Sequence, residues 1–398
     1  MIPYGRQSVS ADDIAAVVAA LESDWLTCGP RVEEFEQRFA EFVRAEHAVA
    51  VNSGTAALHL AMLAAGIGPG DHVITSPNTF LASANAAAFV GATPDFCDID
   101  RLSYTLCPDS LRKCWRPETR AVVAVDYAGH PSQVSEIAEF AHSQNAIVIE
   151  DACHSIGGVL HSGKEVVHIG GNNWADMTTF SFHPVKSMTT GEGGMLTTNN
   201  PEFAERARIF RSHGMIRQPE LFTGLAGNAF PEQGPWYYEM QELGYNYRIT
   251  DLQCALGISQ LQRLPRFLER RREIVQRYHA AFQTLPHLTP PAVRAGVDPE
   301  QIAWHLYTVL IDFQAIGKTR TDVMSALRER GVATQVLYIP VYLQPWYAKT
   351  YGYKPGKCPN AEWYYERALS LPLFPAMTDE DVETVIQSVK EVLPGGGA

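Results

Sequence analysis

Lys186 and Asp151 are the two side chains whose setting in the sequence most invites chemistry. Lys186 ends the segment Ser181-Phe-His-Pro-Val-Lys186, after a β-prone run from Thr178 to Phe182 and before the glycines Gly191, Gly193 and Gly194. Pro184 has no N–H to give a ladder and so ends the strand, while the glycines let the backbone turn sharply or approach a ligand closely. The lysine therefore falls at the carboxyl end of a strand, where open α/β sheets place their ligands. A lysine amine that is desolvated, or set beside another cation, loses its proton more readily and can condense with a carbonyl. Asp151 closes the apolar run Ile147-Val-Ile-Glu-Asp151 and so brings a carboxylate to a second strand end, with His154 three residues further on.

A third feature completes the set. Val49-Ala-Val-Asn-Ser-Gly-Thr-Ala-Ala-Leu58 reads as a strand, a turn of small residues and a helix. Free N–H groups and the positive end of a helix dipole suit such a turn to a phosphate, with Ser53, Gly54 and Thr55 as its candidates; the same residues also make an ordinary N-cap. A lysine for an aldehyde, a phosphate cup and an acid that keeps a pyridine nitrogen protonated are together what pyridoxal 5'-phosphate requires. His154 would reach the phenolic oxygen of that group or be a satisfied core histidine. Phe80, in Asn78-Thr-Phe80, would stack on its ring or belong to the core.

The elements that must position these residues alternate along the chain. Apolar strands are predicted at 48–51, 73–76, 93–97, 121–125, 146–150, 177–182 and 195–198, with helical patterns such as 55–65, 80–90 and 133–142 between several of them. This alternation predicts an α/β protein with a mainly parallel seven-stranded sheet covered by helices on both faces. Ser10-Ala-Asp-Asp13 resembles a capping box ahead of a first amphipathic helix. Helix is predicted again from Thr250 through Leu261 and, after Pro265, as a long charged helix to about Leu285. A smaller C-terminal α/β unit follows, with a strand at 305–312 and helices near 322–330, 361–369 and 379–393. The expected organisation is an N-terminal arm and large domain over 1–262 and a small domain over 263–398.

The formal net charge of −12 argues against a general nucleic-acid surface and against adhesion to anionic membrane. Arg266, Arg270, Arg271, Arg272 and Arg277 form a local exception, but Glu269 and Glu273 interleave them, as on a solvated helix face. The start Met1-Ile-Pro-Tyr-Gly5 has no basic and then apolar leader pattern, and no apolar run reaches the roughly 18 residues of a membrane span. The expected location is cytoplasmic. The seven cysteines contain no C-x-x-C pair, which fits reduced thiols better than a disulfide framework or a zinc site. Gly158-Val-Leu-His-Ser-Gly-Lys164 matches the start of a P-loop, but Glu165 stands where Ser or Thr should bind magnesium.

On the residues Asn52-Ser-Gly-Thr-Ala-Ala-Leu58, Glu150-Asp-Ala-Cys-His154, Ser181–Lys186 with Gly191-Glu-Gly-Gly194, and Gly244-Tyr-Asn-Tyr-Arg-Ile-Thr-Asp251, the chain resembles the DegT/StrS family over nearly its whole length. These are nucleotide-sugar aminotransferases of the fold-type I class that depend on pyridoxal phosphate. The resemblance implies Lys186 as the Schiff-base lysine, Asp151 on the pyridine nitrogen, His154 at the phenolic oxygen, and Thr55 and Ser181 on the phosphate. It also implies that Asn246 reaches the phosphate in a neighbouring subunit's site, and hence a homodimer. Within the family the chain is most similar to the subgroup of pseudaminic acid biosynthesis, which aminates C4 of a UDP-linked 4-keto-6-deoxy-N-acetyl sugar. Glutamate would be the amino donor. Tyr4, Trp25, Leu26, Thr27, His305, Tyr338 and Tyr342 would then line the sugar-nucleotide site, with Tyr342 standing where the subgroup carries histidine. The alternatives are another nucleotide-linked keto sugar, or a non-catalytic regulatory protein that keeps the fold.

Overall fold

Seven short apolar segments pair into the central sheet: β1 (His47–Val51), β2 (His72–Thr75), β3 (Thr93–Phe96), β4 (Thr119–Val125), β5 (Ile147–Asp151), β8 (Met177–Ser181) and β9 (Gly194–Thr198). All seven lie where the sequence predicts them. The computed structural model describes residues 1–162, 165–224 and 234–393. The strand order is β1-β9-β8-β5-β4-β2-β3, with β9 antiparallel to both its neighbours and the other pairs parallel. Because β1 and β8 both oppose β9, they point the same way. The carboxyl ends of β1, β4, β5 and β8 therefore share one edge.

Alternate strand residues face different cores, as the two-residue repeat of a strand requires. Val49, Val51, Ala121, Val123, Val125, Ile149 and Leu196 pack under helices α3 (Gly54–Ala64) and α7 (Pro201–Arg211). On the opposite face, Val122, Ala124 and Val148 meet α6 (Val134–Ser143), while Phe180, Phe182 and Met195 meet Phe35 and Phe39 of α2 (Pro30–Val43). Helix α4 (Leu81–Phe89) follows β2. Helix α1 (Ala11–Leu21) begins with the expected capping box: Ser10 Oγ accepts from Asp13 N–H at 3.3 Å and Asp13 accepts from Ser10 N–H at 2.8 Å.

The 32-residue helix α8 (Asp251–Phe282) corrects one expectation, because Pro265 lies inside it and does not divide it. Proline removes one N–H from the ladder and crowds the preceding turn, but side chains on both sides of the break are held by packing. Leu261, Leu264 and Leu268 belong to the core under the sheet, and Ile274, Val275, Tyr278 and Phe282 to a second core. The expected boundary at 262/263 thus falls within a continuous helix.

That second core lies between α8, α9 (Arg320–Glu329), α12 (Asp379–Val392) and an antiparallel sheet of β12 (Leu288–Thr289), β13 (Tyr307–Ile311) and β14 (Ala368–Leu371). Residues 368 and 369, expected at the end of a helix, open β14 instead; helix α11 stops at Arg367 (Pro359–Arg367). The N-terminal segment reaches this unit as well, with Ile2 N–H donating to Gly331 C=O at 2.7 Å. The P-loop-like run does not lead from a strand through a loop to a helix. Val159–Ser162 forms β6, paired as a hairpin with β7 (Glu165–His168), and Gly163 and Lys164 lie outside the described residues. No helix among the described residues is long and apolar enough to cross a membrane, and none of their His, Cys, Asp and Glu side chains group as a metal site.

Candidate active site

The shared carboxyl edge of β1, β5 and β8 brings the predicted residues together. Ser53 caps α3, its Oγ accepting the Ala56 N–H at 3.1 Å. Gly54 follows so tightly that a Cβ there would stand 2.8 Å from Ser181 Cβ and 3.3 Å from Cys153 Sγ. The start of α3, the end of β8 and the turn after β5 therefore meet at Gly54. Gly194 is equally constrained, since a Cβ would come within 2.5 Å of the Ser53 carbonyl oxygen. The leading N–H groups of α3, at Gly54 and Thr55, have no intrahelical acceptor and carry the positive end of the helix dipole.

Asp151 is buried at 5% exposure. One carboxylate oxygen accepts the Ser83 hydroxyl at 2.6 Å, and the other accepts the Cys153 N–H at 3.2 Å. Lys186, in the turn after β8, is half-buried, and its Nζ has no hydrogen bond or ion pair among the described residues. Loss of water pulls its ammonium below the ordinary lysine value, while Cys153 and Asp151 nearby pull it back up.

His154 is fixed by its neighbours. Its Nδ1 accepts the Ala128 N–H at 3.2 Å, so that nitrogen bears no proton. Burial, and secondarily the charge of Lys186, hold the imidazole well below its usual pKa. A neutral ring with Nδ1 engaged as acceptor carries its proton on Nε2, and Nε2 points to Tyr338 Oη at 3.4 Å. Phe80 is not core. It is 56% exposed, with its ring 6.1 Å from that of Tyr338. Tyr4 is half-buried; its neighbour Gly5 lies 3.8 Å, measured from an ideal Cβ, from Val185 in the lysine turn.

One residue expected to line the cleft is elsewhere. Tyr342 is wholly buried. Its hydroxyl donates to Glu362 and accepts from Cys358 N–H at 3.2 Å, and its ring packs on Phe96. The short 3₁₀ turn Val341–Leu343 carries this side chain into the interior, where every polar need is met internally. His305 is buried beside His154, ring centroids 4.4 Å apart, and the charges of His154 and Lys186 add to the burial that holds its imidazole well below the usual value. Trp25, Leu26 and Thr27 lie beside the start of α8: Thr27 pairs with Thr250, and Leu26 C=O accepts the Asp251 N–H at 3.1 Å. Trp25 is 54% exposed. Asn246 is also exposed, while its carbonyl accepts Asn52 Nδ2 at 3.4 Å, next to the α3 turn.

Sequence reasoning did not find Ser83, Thr79 or Tyr127. Ser83 bonds Asp151, Thr79 Oγ1 lies 2.7 Å from Ser83 Oγ, and Tyr127 stands 6.0 Å from His154, centroid to centroid. The four-residue spacing of the two hydroxyls, Thr79 just ahead of the N-cap Phe80 and Ser83 in the first turn of α4, is the signal the sequence offers. The assembled groups suit a phosphorylated aromatic aldehyde: an amine without a partner, a bonded carboxylate, and a helix terminus at which only a glycine fits. Nothing in the set resembles a metal-ligand cluster.

A family model described as the DegT/DnrJ/EryC1/StrS aminotransferase family matches residues 7–390. The spore coat polysaccharide biosynthesis protein SpsC of Bacillus subtilis is 43% identical over 99% of this chain and 97% of its own length. Among solved structures, Helicobacter pylori PseC, an aminotransferase of pseudaminic acid biosynthesis, superposes with a TM-score of 0.87 at 29% identity, covering 98% of this chain and 99% of its own. A Streptococcus pneumoniae protein described as a sugar aminotransferase, in its PLP form, gives a TM-score of 0.87 at 28% identity over all of both chains.

Proposed function

Because the chain belongs to the DegT/DnrJ/EryC1/StrS aminotransferase family, we propose that it moves an amino group from glutamate to C4 of a UDP-linked 4-keto-6-deoxy-N-acetyl sugar, in a pathway of pseudaminic acid type, with pyridoxal 5'-phosphate as cofactor. The observation that carries the catalytic part is Lys186, half-buried, without a partner for its Nζ among the described residues, and beside Asp151 at the end of the sheet. The sugar follows from the likeness to PseC. When bound, the cofactor supplies the electron sink.

The rest falls to this chain. Gly54, Thr55 and Ser181 would hold the phosphate, and Asp151 the pyridine nitrogen. His154, with its proton on Nε2, would donate to the phenolic oxygen. Lys186, its ammonium weakened by desolvation, would take and return the proton at the reacting carbon, alternating as base and acid. Tyr338 and Tyr4 would border the sugar, and Phe80 would cover the ring.

A homodimer is supported by the exposed apolar residues near Asn246 and the start of α8: Trp25 at 54%, Met240 at 59% and Leu243 at 73%. Asn246 and the 25–27 segment would then serve the partner's site. A second reading, another nucleotide-linked keto sugar, is favoured by the higher identity to SpsC, whose name refers to spore coat polysaccharide. Tyr342, wholly buried, does not separate the two.

The test is an absorbance spectrum of the protein loaded with pyridoxal phosphate, before and after glutamate, beside Lys186→Ala. We expect a band that moves on adding glutamate in the wild type and no lysine-bound band in the variant. A wild type that stays colourless would overturn the reading. UDP-linked 4-keto sugars offered afterwards decide between the two substrates.

A further inference from the structure

Asp151 stands in a corner crowded with buried acid. Asp126, wholly buried, donates its backbone N–H to the Asp151 carbonyl oxygen at 3.1 Å, and Glu150 precedes it in β5 at 4% exposure. Burial above all pushes both neighbouring carboxyls above their ordinary values, and in each case another carboxylate adds to the push. A carboxylate that is to pair with a protonated pyridine has the opposite need, since only the ionised form accepts that proton's hydrogen bond.

The hydroxyls of Ser83 and Thr79 meet that need. Both residues are buried, at 1% and 3% exposure. Ser83 Oγ lies 2.6 Å from one oxygen of Asp151, and Thr79 Oγ1 lies 2.7 Å from Ser83 Oγ. An ionised carboxylate only accepts, so Ser83 spends its single proton on Asp151 and can be only the acceptor toward Thr79. The direction of the relay is therefore fixed from Thr79 to Ser83 to Asp151. Bonds to a charged acceptor are short and strong, and a chain of them polarises in one sense. The Cys153 N–H on the other oxygen, at 3.2 Å, prevents the group from turning about its axis. Glu150 offers the contrast: the Thr178 hydroxyl near it, at 3.2 Å, lies closer to Asn172 Oδ1, at 2.9 Å.

We propose that Ser83, backed by Thr79, is a positioning residue that holds the Asp151 carboxylate as a hydrogen-bond acceptor aimed at the cofactor's pyridine nitrogen. The proposal rests on the reading of Asp151 given above. Its test uses the full-length protein loaded with pyridoxal phosphate labelled with 15N in the ring, as wild type, Ser83→Ala, Ser83→Thr and Thr79→Val. The 15N shift reports whether the ring nitrogen holds its proton, and a residue that merely fills space would not move it.

In Ser83→Ala the ring nitrogen should lose its proton at a pH lower by about one unit or more. The turnover number should fall roughly tenfold to a hundredfold, as for one lost bond to a charged group, with little change in the KM for the sugar. Ser83→Thr should restore both, and Thr79→Val should move them the same way by less. A Ser83→Ala protein that melts lower but titrates at the wild-type midpoint would overturn the proposal. So would unchanged turnover. Failure of the wild type to take up the cofactor, or to protonate its ring, would instead overturn the assignment of Asp151 and the proposal with it.

Discussion

Gly54→Ala probes how closely the start of α3 is fitted to the end of β8. The added methyl would lie 2.8 Å from Ser181 Cβ and 3.3 Å from both Ser181 Cα and Cys153 Sγ. The shortest of these is well inside contact, and Ser181 Cβ is not the free end of a flexible chain, so helix or strand must shift. Overpacking a closed site costs about 1–3 kcal/mol. Against it stands the entropy that glycine loses on folding, about 0.5–1 kcal/mol in a helix interior and less at a first helical position. The strain wins by about 1–2 kcal/mol on those figures. Ser181→Gly removes the atom in closest contact, so in that background Gly54→Ala should cost close to nothing. Urea unfolding of the apo forms of all four proteins measures the coupling, expected at about 1–2 kcal/mol. Equal costs in the two backgrounds, or a gain from Gly54→Ala alone, would refute the reasoning. In the Ser181 background the displaced N–H groups should also weaken binding of pyridoxal phosphate, roughly tenfold for each 1.4 kcal/mol of strain carried into the complex.

Tyr342→Phe strips a bond from Glu362 and leaves the Cys358 N–H without its acceptor. Stability should fall by about 1–3 kcal/mol while the KM for the sugar holds; a raised KM at unchanged stability would return Tyr342 to the cleft. Asp126 keeps its proton to higher pH in the folded than in the unfolded chain, because burial raises its carboxyl. Its contribution to stability is therefore greatest in acid and declines as pH rises from the usual aspartate range toward neutrality. Asp126→Asn should lose that decline in unfolding free energy measured across the window, and parallel profiles for the two proteins would refute the assignment. Finally, dimers mixed from Lys186→Ala and Asn246→Ala chains should recover one working site if Asn246 serves the partner. Activity no higher than that of the Asn246→Ala homodimer would place Asn246 in its own chain's site.

Much of this was legible because the signals are local. The seven strands announce themselves as apolar runs, and Lys186 and Asp151 are placed by the strand ends they follow. Gly54 reads from the sequence as part of a phosphate turn, although the reason only glycine fits, its contact with Ser181, lies across the sheet. Tyr342 shows the limit of carrying a role across by likeness, because the turn around Val341 sets whether its hydroxyl meets Glu362 or solvent. Helix α8 shows another, since Pro265 signals a break that packing on two cores overrides. Thr79 bonds Ser83 four residues on, but Ser83 in turn bonds Asp151, far away in sequence, and no spacing rule encodes that second link.

At 1.5 Å per residue, the 32 residues of α8 make a rod about 48 Å long with its ends embedded in different cores. The chain crosses between them at its start as well, Ile2 packing in the second core before Asp13 ties α1 to Arg263 at 2.5 Å. Neither half owns all its supports. Cut at 262/263, the first piece would lose Leu264 and Leu268 from beneath the sheet, and the second would lose Ile2. The molecule should therefore melt as one cooperative body, and a split-protein design would have to break the chain in a surface loop.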